Sequence, residues 1–196
     1  FRLSETQKYP HVTFFYNGGY REPLDSSMEN YHLIPSDKIP SFASQPCMKA
    51  GEISKKAVEF MRTGEYQYGL INFANADMVG HTGDFQAAVK AVETIDTALK
   101  SIVSVIDEMK GLLVITADHG NADQMLIQNC KGAMEISTKH SLNPVPFIIF
   151  DPLYNDDYHL KPFGEDYNNN LSNIAATNFI LLGQPVPDDL APPLFG

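Results

Sequence analysis

The sequence lacks tryptophan and has little cysteine and little positive charge. Its 196 residues contain two cysteines, Cys47 and Cys130, which lie far apart and outside any spacing typical of a metal cluster. We therefore expect free thiols in a reducing, cytoplasmic location, with one disulfide as the alternative. Lys and Arg number 14 against 24 Asp and Glu, a formal net charge of −10, which argues against a nucleic acid or an anionic membrane as partner.

Long apolar runs are also missing, and no stretch approaches the length of a membrane span. The hydrophobic fraction of 43% is enough for one sizeable core, so we expect a single domain over residues 1–196. The sequence starts at Phe1 rather than at Met, from which we expect a piece of a longer protein.

Apolar runs alternate with helical patterns along the chain, which predicts an α/β fold with a largely parallel sheet. A short edge strand around Leu33 and Ile34, a short turn or strand over 125–129, and loops over 132–139 and 151–170 complete the prediction. The main strands are expected at 12–16, 68–73, 112–116 and 145–150, and the helices at 51–63, 85–109 (capped by Asp84) and 171–182. The apolar run of the 112–116 strand predicts that it is buried on both faces.

Metal-ligand residue types occur beside three of these strands. Asp77 and His81 are four residues apart, so one helical turn would aim both at one point. Asp118 and His119 end the apolar run 112–116, and His140 precedes the run 145–150. Asp and neutral His suit one or two divalent ions, and ions of this kind commonly clamp the oxygens of a phosphoryl transfer. The alternative for Asp118 and His119 alone is a strand end with two solvated polar residues.

The remaining basic side chains are less informative. Lys8 is either a solvated lysine beside a strand or a point-charge contact for an anionic substrate. His11 fits the alternation of a strand, so we interpret it as a core or edge histidine. His32 and His159 fall in polar loops, and neither has a partner residue at a spacing that indicates a site.

Four motifs resemble the cofactor-independent (2,3-bisphosphoglycerate-independent) phosphoglycerate mutase family, part of the alkaline-phosphatase-like superfamily. They are ETQKYPHVTFF at 5–15, NFANADMVGHTG at 72–83, TADHGNAD at 116–123, and TKHS at 138–141 followed by Pro144-Val145-Pro146. Their order and spacing cover nearly the whole chain. The resemblance implies a three-layer α/β fold and the interconversion of 3-phosphoglycerate and 2-phosphoglycerate through a phosphoserine.

The resemblance also implies site residues and cofactors. Asp77, His81 and His140 match the ligands of one ion, while Asp118 and His119 match two ligands of a second. Manganese is the expected ion, with magnesium, cobalt or zinc as alternatives. Lys8 matches a lysine near the phosphoryl group.

The chain departs from the family in several places, and the substitutions leave the five matched ligands unchanged. The aspartate that completes the family's second metal site has no counterpart here. Asp123 stands where the family usually has Glu, and Asn30-Tyr31-His32 replaces a usual Asp-Arg. The family's nucleophilic serine and its inserted substrate-binding domain have no counterpart here, and neither Thr82 nor Ser141 occupies the nucleophile position. The resemblance therefore implies the carboxy-terminal portion of a phosphatase-type domain, inactive alone and completed by an amino-terminal part of the same protein.

Two further expectations follow from that reading. The parent protein is expected to be a monomer. The isolated chain is expected to self-associate, because strands without their neighbours expose unpaired edges. The competing hypotheses are a phosphohydrolase or phosphopentomutase of the same superfamily, and a non-catalytic metal-binding module.

Overall fold

The structure is a computed structural model that describes residues 1–137, 139–162 and 169–195. It divides into two compact units, Phe1–Pro152 and Leu153–Gly196, and every predicted site residue lies in the first. Thr138 and residues 163–168 of the predicted loop 151–170 lie outside the described residues. The strands are β1 (Arg2–Glu5), β2 (Tyr31–Ile34), β3 (Leu70–Ile71), β4 (Leu113–Thr116), β5 (Leu126–Gln128), β6 (Met134–Ile136) and β7 (Phe147–Phe150), and the helices are α1 (Tyr9–Val12), α2 (Ala50–Thr63), α3 (Asn75–Gly80), α4 (Phe85–Met109) and, in the second unit, α5 (Asn173–Leu181).

Strand β1 is the middle strand of a parallel sheet with the order β2-β1-β3. Leu3 of β1 lies opposite His32 of β2 and Ile71 of β3. Helix α2 lies between β2 and β3 in the chain and supplies the long connection that strands running in one direction require. The predicted α/β class with a parallel sheet is confirmed, and so is the edge strand around Leu33 and Ile34.

Strands β4 and β7 form a separate, antiparallel pair, with Thr116 opposite Phe147 and Leu113 opposite Phe150. The described residues of the connection between them form the hairpin β5–β6 and loops, and not the helix that usually makes a parallel crossover. Among the described residues β4 pairs with β7 alone. Its predicted full burial is therefore wrong: Leu113, Val114 and Ile115 are half-buried and Thr116 is exposed.

The strand predicted over 12–16 is also wrong, because the chain forms β1 at Arg2–Glu5 and then the one-turn helix α1. Pro10 sits in the first turn of α1, where its missing N–H group costs no hydrogen bond. The β-branched and aromatic residues that follow lie in turns, and Phe15 and Tyr16 are exposed.

The predicted loop 132–139 contains strand β6, which pairs with β5. The turn between them is made by Asn129, whose side-chain oxygen accepts from the backbone N–H groups of Lys131 and Ala133. Gly132 adopts a φ of 80° there, a conformation that glycine reaches without strain. This turn chemistry brings two short, largely exposed strands together despite their weak sequence pattern.

The long helices form as predicted. Gly64 ends α2 with a φ of 69°, and Asp84 caps α4 by accepting from Ala87 N at 3.0 Å. Helix α5 is shorter than the predicted 171–182, and Ser172 precedes it without a side-chain capping bond. No helix of the described residues is long and apolar enough to cross a membrane.

Two apolar clusters fix the elements that carry the site. The larger is built on Leu3, Ile53 and Ile102, all at most 1% exposed, and joins β1 to α2 and α4. The smaller packs Val79 of α3 against Ala88 and Ala91 of α4. Helix α3 is thus held on α4 by its buried face, which leaves its polar face free to carry ligands.

Removal of the Asp84 side chain tests whether it stabilises the start of α4 as a cap. We expect Asp84→Ala to lower the free energy of unfolding by about 1 kcal/mol, because one backbone N–H group at the helix start loses its acceptor. Urea denaturation measures the change. Asp84→Asn is the matched control, since Asn caps as well as Asp; a loss equal to that of the alanine variant would contradict the capping role.

Candidate metal centre

The candidate ligands converge on one edge of the fold. Lys8 and Asp77 follow the parallel strands β1 and β3, whose carboxyl ends lie at the same edge of the sheet. Asp118 follows β4, while His140 precedes β7. Because the antiparallel register places the end of β4 opposite the start of β7, these two segments also arrive together.

Three of the predicted ligands form a triangle. His81 Nε2 lies 3.2 Å from Asp77 Oδ1, His140 Nε2 lies 3.3 Å from the same oxygen, and the two imidazole nitrogens are 3.3 Å apart. Asp77 and His81 are one turn apart along α3 and its end. Donors held tetrahedrally at about 2.0–2.1 Å from a zinc-type ion are themselves about 3.3 Å apart. The triangle therefore fits one divalent ion in both spacing and donor chemistry.

His119 joins this triangle to the second predicted pair. Its ring stacks on that of His140 with 3.5 Å between centroids and 5° between planes. Asp77, His119 and His140 each offer a ligand atom within 4.8 Å of the other two. Asp118 Oδ1 lies 3.6 Å from His119 Nε2, and the Asp118 side chain is 53% exposed. The structure thus brings four of the five predicted ligands, Asp77, His81, His119 and His140, together, while exposed Asp118 contacts the cluster through His119.

Lys8 contacts a ligand directly. Its Nζ lies 2.7 Å from Asp77 Oδ2, and the two side chains are only 8% and 14% exposed. Burial alone would raise the pKa of Asp77, but the hydrogen bond and charge of Lys8, the Asn121 hydrogen bond and the charge of His81 together hold that pKa below its ordinary value. Asp77 is therefore a carboxylate at neutral pH, the form that ligates a cation.

Electrostatics also favour the ligating form of His140. Its pKa is lowered first by burial and then by the positive charge of His119, against the opposing pull of Asp77. A lowered histidine pKa favours the neutral imidazole, whose free nitrogen lone pair is what binds a metal.

Several residues at the site were missed by sequence reasoning. Asn121 Nδ2 donates to Asp77 Oδ1 at 2.7 Å, and a Cβ at Gly80 would collide with Asn121 Oδ1. His11 has a lowered pKa, set first by burial and then by Lys8, while Asp118 and Asp77 act in the opposite direction. Its buried Nδ1 has no hydrogen-bond partner among the described residues. The signal for His11 was its spacing of three from Lys8, which a helix, unlike a strand, places on one face.

A second buried carboxylate lies at the end of β1, three residues before Lys8. Glu5, at the end of β1, is fully buried. Its oxygens accept from Ser36 Oγ at 2.8 Å and from the backbone N–H group of Lys49 at 3.3 Å. Burial raises the pKa of Glu5 in spite of these hydrogen bonds and the charge of Lys49.

This raised pKa has a testable consequence for stability. The folded state binds the Glu5 proton more tightly than the unfolded state, so its contribution is fully present below pH 4.5, the ordinary pKa, and is lost as pH rises through the folded pKa. We expect Glu5→Gln to remove this loss, so that its stability relative to the wild type increases from pH 4 to pH 7. Urea denaturation at both values measures it, with the exposed Glu22→Gln as control; parallel shifts in both variants would contradict the assignment.

Candidate metal ligands gathered at strand ends of an α/β fold point to a metal-binding class of protein. A profile of the metalloenzyme superfamily matches residues 1–185, and the chain belongs to this superfamily.

Its relatives are phosphoglycerate mutases. The 2,3-bisphosphoglycerate-independent phosphoglycerate mutase of Gracilaria tenuistipitata var. liui is 42% identical over 189 residues, covering 96% of this chain and 35% of that protein. The protein of the same name from Thermomicrobium roseum is 41% identical over 190 residues, covering 97% and 35%. The chain therefore spans about a third of the length of the curated relatives it matches.

A solved structure shares the fold. The crystal structure of Leishmania mexicana phosphoglycerate mutase at low cobalt concentration matches with a TM-score of 0.91 and 35% identity, covering 100% of this chain and 36% of that one. The predicted alkaline-phosphatase-like α/β fold and the resemblance to phosphoglycerate mutases are both confirmed. Divalent metal binding is supported by the family and by the donor cluster.

Proposed function

We propose that this chain is the metal-binding part of a phosphoglycerate mutase that interconverts 3-phosphoglycerate and 2-phosphoglycerate through a phosphoserine. The observation that carries the proposal is the convergence of Asp77, His81 and His140 at mutual distances of 3.2–3.3 Å, in a chain whose relatives bear that name. The mutase name of the relatives favours this function over a phosphohydrolase or a phosphopentomutase.

The proposed ligand sets are the ones predicted from the sequence. Asp77, His81 and His140 would hold one ion, and Asp118 with His119 would supply two ligands of a second, with manganese as the native metal. Divalent ions at such a site would lower the pKa of a coordinated hydroxyl and neutralise charge on a transferred phosphoryl group.

The chain's own residues prepare the site for this chemistry. Lys8 keeps Asp77 ionised through the 2.7 Å ion pair, and its ammonium group is the proposed contact for the anionic phosphoryl group. Asn121 fixes the other Asp77 oxygen, so the carboxylate cannot rotate freely. The neutral form of His140, favoured by burial and by His119, leaves a nitrogen lone pair available.

The rest of the proposed assembly lies outside these residues. The chain would form the carboxy-terminal portion of a metal-binding phosphatase domain over residues 1–196. The nucleophilic serine and the groups that bind the glycerate moiety would come from another part of the same protein. We place the complete enzyme in the cytoplasm.

A chimera tests the proposal. The matched segment of the Leishmania mexicana mutase is replaced by this chain, and conversion of 3-phosphoglycerate to 2-phosphoglycerate is measured with and without manganese. We expect manganese-dependent activity that a chelator abolishes.

The same chimera carrying His140→Ala is the control and is expected to be inactive while folding normally. A folded, metal-loaded chimera that hydrolyses a generic phosphate ester but does not isomerise phosphoglycerate would favour the phosphohydrolase alternative. Binding of metal with neither activity would favour the non-catalytic module.

A further inference from the structure

The carboxylate of Asp123 joins the two loops that carry His119 and His140. Its Oδ2 accepts from Ser141 Oγ at 2.7 Å and from Asn143 Nδ2 at 2.6 Å. Asp123 lies four residues after His119, whereas Ser141 directly follows His140. Both bonds have an ionised acceptor, which makes them stronger than bonds between neutral groups.

The backbone supports the same junction. Ser141 N donates to Gly120 O at 2.9 Å, in an isolated bridge between the two loops. A Cβ at Gly120 would collide with Ser141 Oγ and lie 2.6 Å from Asp123 Oδ1. Backbone, hydroxyl and carboxylate therefore meet at one close-packed point, immediately beside both histidines.

This junction explains why the two rings can stack. His119 precedes Gly120 and His140 precedes Ser141, so the bridge fixes the backbones from which both rings project. Their planes lie 5° apart with 3.5 Å between centroids. The His140 side chain is 44% exposed and also contacts Asp77 Oδ1 and His81 Nε2, each at 3.3 Å, so the backbone bridge adds to the restraint that these contacts provide. An exposed imidazole without such restraint would lose side-chain conformational entropy when it binds a metal, which lowers the affinity.

We propose that Asp123 is a positioning residue that holds His119 and His140 in their metal-binding arrangement without touching the metal. The inference rests on the proposed metal centre. Groups that hydrogen-bond a metal ligand directly typically contribute about 10–100-fold to metal affinity. Asp123 acts through Ser141 and Asn143 by exposed hydrogen bonds, so their removal should have an effect at the lower end of that range, about tenfold.

The test is titration of the metal-free chain with Mn²⁺. We expect Asp123→Ala to weaken binding by about tenfold, and Asp123→Asn to lie between it and the wild type because its acceptor is uncharged. Asp123→Glu restores a carboxylate and should recover most of the affinity. Asp25→Asn is the matched control, since Asp25 Oδ1 accepts from Ser27 N and Ser27 Oγ at 2.9 and 2.6 Å in another loop.

A spectroscopic readout separates positioning from general stability. Stacked rings shift each other's proton resonances upfield, so the His119 and His140 ring signals of the metal-free Asp123→Ala chain should move towards unstacked values. The Asp25→Asn control should leave both signals and the affinity unchanged.

The outcomes are distinguishable. A wild-type chain that binds no Mn²⁺ contradicts the metal centre itself. Wild-type binding with unchanged affinity in Asp123→Ala, or an equal loss in Asp25→Asn, overturns the positioning role alone. If Asp123→Ala does not fold, the Asp123→Asn and Asp123→Glu variants decide: equal affinity of Asn, Glu and wild type would overturn the inference.

Discussion

Replacement of His140 by alanine is expected to remove most of the divalent metal that the chain binds, whereas Asp118→Ala should remove much less. His140 Nε2 lies 3.3 Å from both Asp77 Oδ1 and His81 Nε2, so its loss opens the triangle. Asp118 is 53% exposed and contacts only His119 among the other predicted ligands, at 3.6 Å. The free energy of zinc binding at a structural site with four ligands is roughly 10–16 kcal/mol. Each ligand therefore contributes about 3 kcal/mol, which corresponds to roughly a hundredfold in the dissociation constant.

Elemental analysis after dialysis against a fixed free metal concentration measures the difference. His159→Ala is the matched control, because His159 is 70% exposed and its nearest acidic partner is Asp156 at 3.9 Å. Equal metal loss in His140→Ala and Asp118→Ala would contradict the ranking of the two ligand sets.

Replacement of Lys8 by methionine is expected to destabilise the metal-free chain by about 3–5 kcal/mol, the usual cost of leaving one member of a buried ion pair alone. The pair is well shielded, with side chains 8% and 14% exposed. A bound divalent cation would supply the missing positive charge to Asp77. Added Mn²⁺ should therefore recover more stability in Lys8→Met than in the wild type, where Lys8 already neutralises the carboxylate.

The pH dependence of this variant has a defined sign. In the wild type the depressed pKa of Asp77 adds stability above pH 3.8, its ordinary pKa, and this contribution disappears as pH falls through the folded pKa. Without Lys8, burial remains the largest influence on the Asp77 pKa and opposes ionisation, so the gain in stability above pH 3.8 should be smaller than in the wild type. Urea denaturation from pH 3 to pH 7 measures both curves.

The double variant Lys8→Met with Asp77→Asn serves as the control. It removes both charges, so much of the lost stability should return. A single Lys8→Met variant that is as stable as the wild type at neutral pH without metal would show that the ion pair contributes little.

Local patterns predicted the two long helices, α2 and α4, and named residues that the structure brings together at the candidate site. The apolar stripe of α4 and the Asp84 cap specify that helix within its own residues, because a helix closes its hydrogen bonds locally. The spacing of Asp77 and His81 needs only one helical turn to bring them together. Asp118 and His119 were identified as candidate ligands from their residue types, and the α/β pattern predicted that they lie at the end of a strand.

Contacts between distant segments could not be predicted from local sequence patterns. Residues 12–16 carry β-forming side chains, yet Pro10 and the neighbouring turns make the segment a helix and loop. Strand β4 looks buried in sequence but pairs with β7 alone among the described residues, because burial depends on which strands lie beside it. The hydrogen bonds from Asn121 to Asp77 and from Ser141 to Asp123 span 44 and 18 residues, and no local pattern encodes such pairs.

The most direct measurement is an anomalous-difference map from crystals of this chain grown with Mn²⁺. The account predicts a peak about 2 Å from Asp77 Oδ1, His81 Nε2 and His140 Nε2, lost in crystals of the His140→Ala variant. A strong peak held by other residues, or no peak near the triangle at saturating Mn²⁺, would contradict the proposed metal centre.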